Sequence, residues 1–319
     1  MKKGFIALII VGAVLLTAGA TVFGVAVAKN MFGSGSLKEN KHVVEEPFTK
    51  FDFNIETADL TFESASDDKC TVVCKETEKI YHDVSVKDGV LTVKTVNESK
   101  WYERMFSFSY EEMKVTVYLP SSTYEELNIE IATGDVNIEK ALTFTNINIK
   151  DSTGKINIRN VISNKIDIKV STGDVILKND TVTDTLKVKG STSDVEINDC
   201  LVNGDINIET STGDLHFADV KSNNASLETS TGKVELNNYI VSNHLDIKTT
   251  TGKVVFKNSD AKTIKVKTDT GDVIGNILTT KRFVVDTDTG KTNYDKYADG
   301  EIFEITTDTG DINITIGAI

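Results

Sequence analysis

Along most of the chain apolar and polar residues alternate one for one, the period of a strand with one buried face. The alternation comes in short blocks, each reset by a turn: STGDV at Ser171, STGDL at Ser211, STGKV at Ser230 and DTGDI at Asp308. The turn glycines are Gly134, Gly154, Gly173, Gly213, Gly232, Gly252, Gly271, Gly290 and Gly310, and with Ser193 in the one empty slot they stand 19 or 20 residues apart. A period so short and regular predicts a solenoid, in which no coil buries its own apolar face and each stacks on its neighbours.

The columns predict the shape of one coil. Seven and five residues before the slot stand apolar pairs such as Ile147/Ile149, Ile166/Ile168 and Leu186/Val188, and two and four after it stand Val136/Ile138, Ile156/Ile158 and Val175/Leu177. Each coil then has two short strands facing one interior, and the change of parity between them demands a kink that glycine accommodates. Directly before the slot threonine fills every position: Thr133, Thr153, Thr172, Thr192, Thr212, Thr231, Thr251, Thr270, Thr289 and Thr309. This column is expected to form a hydroxyl ladder at a corner. About six residues after the slot, Asn160, Asn179, Asp199, Asp219, Asn238 and Asn258 predict a second corner with left-handed backbone. The fold class is all-β: a single-stranded β-solenoid (parallel β-helix or β-roll) of 19–20-residue coils, preceded by one transmembrane helix.

That helix is read from Gly4 to Ala28, an apolar run behind Lys2 and Lys3 that is long enough to span a bilayer and oriented with its N-terminus in the cytoplasm. The alternative is a signal peptide cleaved after Ala26-Val27-Ala28. Either way the remainder is exported: a linker over residues 29–46, an irregular N-terminal β region or cap over 47–127, and the repeats over 128–319. The linker contains GSGS, the cap contains the hairpin signal Asp88-Gly89, and NIETADLTFE at Asn54 is a degenerate copy of NIEIATGDVNIE at Asn128. Trp101, Phe106 and Phe108 are read as the buried face of a strand pair rather than a recognition patch.

A net charge of −13 excludes a nucleic-acid partner, because phosphate binding needs a basic face. Three cysteines, Cys70, Cys74 and Cys200, are an odd number and read as small buried hydrophobes. His42, His82, His216 and His244 are scattered, and no metal site, cofactor or catalytic residue is expected from their spacing.

The run VTVYLPSSTYEELNIEIATGDVNIE from Val115 to Glu139, with the STGDV and STGKV turns after it, resembles the putative-adhesin, LiaG-like β-strand-repeat proteins of Gram-positive bacteria. The resemblance covers Phe48 to the C-terminus. It implies an extracytoplasmic, membrane-anchored β-solenoid tied to the envelope-stress response, with no catalytic residues to carry over.

Other classes fare worse on the residues. The DTG triplets at Asp269, Asp288 and Asp308 match an aspartic-protease loop, but they are turn variants in neighbouring coils rather than paired lobes. Aspartates after the turn glycine alternate with Lys155, Lys233, Lys253 and Lys291, which predicts a mutually paired, solvated face and not a row of calcium sites. A polysaccharide-processing β-helix enzyme is the main alternative, although the repeat lacks the interrupting loops that build a cleft. An ice- or crystal-binding surface is suggested by Thr-x-Thr pairs such as Thr210/Thr212 and Thr229/Thr231, whose parity turns them to the interior or the corner. The function expected is a non-catalytic binding or scaffold module at the cell envelope. Its partners are the membrane, through the N-terminal helix, and an envelope polymer or membrane protein. Self-association is expected through the C-terminal coil, whose NITIGAI end looks uncapped.

Overall fold

The computed structural model describes residues 36–99, 112–120, 123–296 and 299–317. The apolar segment 4–28 and the aromatic run at Trp101, Phe106 and Phe108 lie outside the described residues. Among the described residues the chain is all-β, 74% strand with no helix, wound into a β-solenoid of about nine turns.

The N-terminal strands are β1 (Lys38–Val44), β2 (Lys50–Thr57), β3 (Asp59–Ser64), β4 (Cys70–Glu76), β5 (Ile80–Lys87), β6 (Val90–Asn97), β7 (Lys114–Leu119), β8 (Thr123–Thr133) and β9 (Val136–Ile138). The repeats continue with β10 (Thr143–Thr153), β11 (Ile156–Arg159), β12 (Ile162–Thr172), β13 (Val175–Lys178), β14 (Thr181–Thr192), β15 (Val195–Asn198), β16 (Leu201–Val202), β17 (Asp205–Thr212), β18 (Leu215–Ala218), β19 (Lys221–Ser222), β20 (Asn224–Thr231) and β21 (Val234–Asn237). They end with β22 (Ile240–Thr251), β23 (Val254–Thr270), β24 (Val273–Ile277), β25 (Lys281–Thr289), β26 (Thr292–Asn293), β27 (Glu301–Thr309) and β28 (Ile312–Ile316). Long strands stack on long ones and short on short, all parallel through the repeats, so that Ile147 lies between Leu127 and Ile166, and Ile156 between Val136 and Val175.

Burial follows the columns. The predicted inward pairs, among them Ile147, Ile149, Ile166, Ile168, Val175 and Leu177, are each no more than 1% exposed. At about 1.5–3 kcal/mol for each large aliphatic side chain buried, this interior is the main stabilising term. The two corners use different backbone devices. At the second, Asn160, Asn179, Asp199, Asp219, Asn238 and Asn258 all have φ between 49° and 60°, the left-handed conformation expected of them. At the glycine corner the constraint is chiefly contact between coils. A Cβ on Gly173, whose φ is 139°, would sit 1.8 Å from the Gly154 carbonyl oxygen.

The coils do not stack in chain order at either end. At the start β2 and β3 already form a coil, pairing in register with β8 and β9 on one side and with β6 and β7 on the other. The cap is completed by antiparallel strands: β5 returns on β6 through the Asp88-Gly89 turn, β4 runs against β7, and β1 runs against β4. At the other end β27 lies between β23 and β25, and β28 between β24 and β26. The final strand is therefore paired on both sides, which corrects the expectation of an uncapped C-terminal coil. Among the described residues the free outer edge belongs instead to β25 and β26, where Arg282, Asp286, Asp288 and Lys291 are exposed charges of the kind that blunt sheet edges. Aromatic contacts record the same order, with the ring centroids of Phe256, Phe303, Phe283 and Tyr294 following one another at 5.5, 5.5 and 5.3 Å.

Candidate functional site

The threonines of the glycine corner divide by direction. Thr210, Thr229, Thr249, Thr268 and Thr307 are buried, and most donate their hydroxyls to carbonyls of the adjacent coil, as Thr229 does to Gly213 (3.0 Å) and Thr307 to Gly271 (3.3 Å). The second column, from Thr133, Thr153 and Thr172 through Thr212, Thr231 and Thr251 to Thr270, Thr289 and Thr309, is exposed. Its hydroxyls face solvent, so the expected hydroxyl ladder is replaced by backbone bonds such as Gly134 N–H to Thr153 O (3.0 Å). The corner thus splits each Thr-x-Thr pair, and the outward surface carries one threonine of the two.

The residue after the glycine closes the same corner electrostatically. Asp135 accepts the Lys155 N–H (2.8 Å) and Asp214 the Lys233 N–H (2.7 Å), while Lys155 pairs with Asp174 (3.7 Å) and Lys253 with Asp272 (3.3 Å). These are the mutually paired charges expected from the interleaved lysines. The broad faces are paired similarly, as between Lys189 and Glu209 (2.8 Å) and between Lys265 and Glu304 (3.0 Å).

Two carboxyls inside the coils are perturbed. Burial pushes Asp151 up to about 7, and neither of its oxygens has a hydrogen-bond partner of normal geometry; the Thr153 amide exerts only a lesser downward pull. Burial likewise raises Asp180 to about 7, although its two oxygens accept the N–H groups of Val161 (2.8 Å) and Lys178 (3.0 Å). Both belong to the packed stack, and Asp180 acts as a corner brace.

A cleft lies elsewhere, on the cap. It has a volume of about 470 Å³ and is walled by β1, by the end of β4 and by β5, including Asn40, His42, Glu76, Tyr81 and His82. Its floor is a buried polar cluster. Glu76 Oε2 accepts both the His82 backbone N–H (2.7 Å) and a bond from His82 Nδ1 (2.9 Å), while Asn40 Nδ2 donates to Glu76 Oε1 (2.5 Å). Cys74, one pleat behind Glu76, completes a group whose ligand atoms all lie within 4.8 Å of one another. Burial pushes the Cys74 thiol up to about 12, helped by the charge of Glu76, and burial does the same to Cys70 and Cys200. All three cysteines are free and buried, as the sequence predicts.

The histidines are thus less scattered than their numbering suggests, since His42 and His82 wall one cleft. The available signal was parity: Glu76 shares the inward parity of Cys70, Val72 and Cys74, and His82 that of Val84 and Val86. Polar residues on a buried parity need partners.

A family model, Toastrack DUF4097, matches residues 48–216 and again 202–318. The chain belongs to the Toastrack family. The two matches to this Toastrack chain overlap in the middle of the stack and include both the cap and the repeats. No curated protein matches it. Among solved structures, it is similar to a putative adhesin from Bacteroides fragilis at 15% identity and a TM-score of 0.45, with 87% of this chain and 97% of that one covered. It is also similar to a putative lipid binding protein from Parabacteroides distasonis at 15% identity and a TM-score of 0.49, with 89% and 98% covered. A putative adhesin from Parabacteroides merdae matches at 15% identity and a TM-score of 0.44, again with 89% and 98% covered.

Proposed function

We propose that this chain is a non-catalytic binding or scaffold module of the cell envelope, held outside the membrane by its apolar segment 4–28 and engaging an envelope polymer or a membrane protein. The observation that carries the reading is the stack of parallel coils with outward-facing polar columns, about 40 Å long for about nine coils at strand spacing. A rigid array of that kind suits a repetitive or extended partner. β1 begins at Lys38, close behind the apolar segment and at the capped end of the stack, so the opposite end projects away from the membrane. An adhesive role, or a part in sensing envelope stress as in the LiaG-like proteins of Gram-positive bacteria, fits this placement. Self-association would run through the free edge of β25 and β26.

The test is retention of the segment from Lys38 onward, which contains every described strand, on intact envelopes and on a panel of purified peptidoglycan and teichoic acid. Saturable retention on one polymer or one membrane protein is expected. Release of reducing sugar from the same panel would overturn the reading in favour of a polysaccharide-processing enzyme.

A further inference from the structure

The cap holds chemistry that a stack of coils does not need. His82 is 2% exposed, and its Nδ1 and backbone N–H are both committed to Glu76. Its Nε2 is buried with no hydrogen-bond partner, and so is the Nε2 of His42 on the wall of the same cleft. An orphaned buried polar atom destabilises the fold, and this cleft carries two. Behind the cleft floor, the sulfur of Cys74 lies within 4.8 Å of a Glu76 carboxylate oxygen and of a His82 ring nitrogen.

The geometry points to a binding site for a zinc-class divalent transition-metal ion, with Cys74 and His82 as ligands, Glu76 as the carboxylate that holds His82, and His42 as the further imidazole.

Three features favour this occupant. One thiolate with imidazoles is a soft, nitrogen-rich donor set that selects zinc-class ions over calcium or magnesium. The Glu76 to His82 Nδ1 bond fixes the tautomer that leaves Nε2 with its lone pair, the arrangement by which carboxylates orient metal-bound histidines. Ligands of tetrahedral zinc stand roughly 3.3–3.8 Å apart, and the Cys74 sulfur, a Glu76 oxygen and a ring nitrogen of His82 already lie within 4.8 Å of one another, with His42 diagonal to Cys74 across the β1–β4 pair. On binding, the Cys74 thiol gives its proton to solvent and its sulfur to the metal. The ion would tie β4 and β5 to β1, the strand that follows the linker.

The experiment uses the full chain, stripped with a chelator and titrated with Zn²⁺, and with Co²⁺ as a spectroscopic stand-in. Stoichiometric binding is expected, with a thiolate-to-cobalt charge-transfer band in the near ultraviolet that Cys74→Ser abolishes and Cys200→Ser leaves intact. His42→Gln, on the half-buried cleft wall, should weaken Zn²⁺ at least about tenfold with the β spectrum unchanged. That variant keeps the test decisive if Cys74→Ser fails to fold. The site is overturned if no charge-transfer band appears, if the band survives Cys74→Ser, or if His42→Gln binds Zn²⁺ as the parent does.

Discussion

Gly190 and Ser193 show how finely one coil can be read. Every other coil of the 128–319 repeats has glycine in the turn slot and a side chain three residues earlier, such as Val170 or Thr210; this coil exchanges the two. The Ser193 side chain turns inward into the space Gly190 leaves, and a Cβ on Gly190 would lie 2.9 Å from both Cβ and Oγ of Ser193. Gly190→Ala should therefore cost about 1–3 kcal/mol by overpacking, and adding Ser193→Gly should recover most of it, as denaturant midpoints of the four-member cycle will show. Asp151 offers a second test, because it interrupts an inward column between Ile131 and Val170. Its folded pKa, about 7, is raised above the unfolded value of 3.8, so its ionisation opposes folding. Stability from this group is greatest below the unfolded value and is lost as pH rises through about 7. Asp151→Val should stabilise the protein by about 2–4 kcal/mol at pH 8 and by much less at pH 4, measured by urea unfolding at both values.

At the scale of elements, the parity of each strand was open to reading and its neighbours were not. Inward pairs, the left-handed asparagine corner and the hairpin at Asp88-Gly89 follow from local chemistry, since alternation and turn residues act within a few positions. The cap brings Cys74 and Glu76 of β4 to His82 of β5, and His42 of β1 to the wall of the same cleft, by tertiary packing that no period announces. The threonine column was half legible: parity marked an inward residue at Thr210 or Thr229, but the kink turns the next threonine out. One element contact is also a stability test. Lys281, the first residue of β25, is buried with its Nζ 2.9 Å from Asp260 Oδ1, and Asp260 also accepts the N–H groups of Ala261 (2.8 Å) and Thr279 (2.7 Å). This buried pair fastens the crossover that carries the chain past the layer filled by β27 and β28. Asp260→Ala leaves an uncompensated ammonium and should cost about 3–5 kcal/mol. Asp260→Ala with Lys281→Met should recover a large part of that loss in the same unfolding assay.

For the whole molecule, the order of stacking has a mechanical consequence. The spacing from Gly271 to Gly290 to Gly310 is the same whether the last two coils stack in chain order or in reverse, so periodicity is silent on the choice. In the structure the coil of β27 and β28 is the filling between two others, and it carries the interfaces on both of its sides. In a solenoid stacked in chain order, removing the last coil strips one interface and leaves the penultimate coil paired. Here, ending the chain after Lys296 should cost two interfaces and leave β25 and β26 without a paired neighbour. Hydrogen exchange of the truncated chain is the measurement. Amides of Phe283 to Thr289 should lose their protection while those of the coil at β20 and β21 keep theirs, because repeat stability is close to nearest-neighbour. Retained protection over Phe283 to Thr289 would mean that β25 can stack directly on β23 and that the inserted coil is a covering rather than a core layer. The other side of the stack shares this design: β2 and β3, like β27 and β28, sit one layer in, with β6 and β7, which follow them in sequence, stacked outside. A solenoid built so places its first and last coils under protection at both faces, and its resistance to fraying depends on the coils next to the termini in sequence.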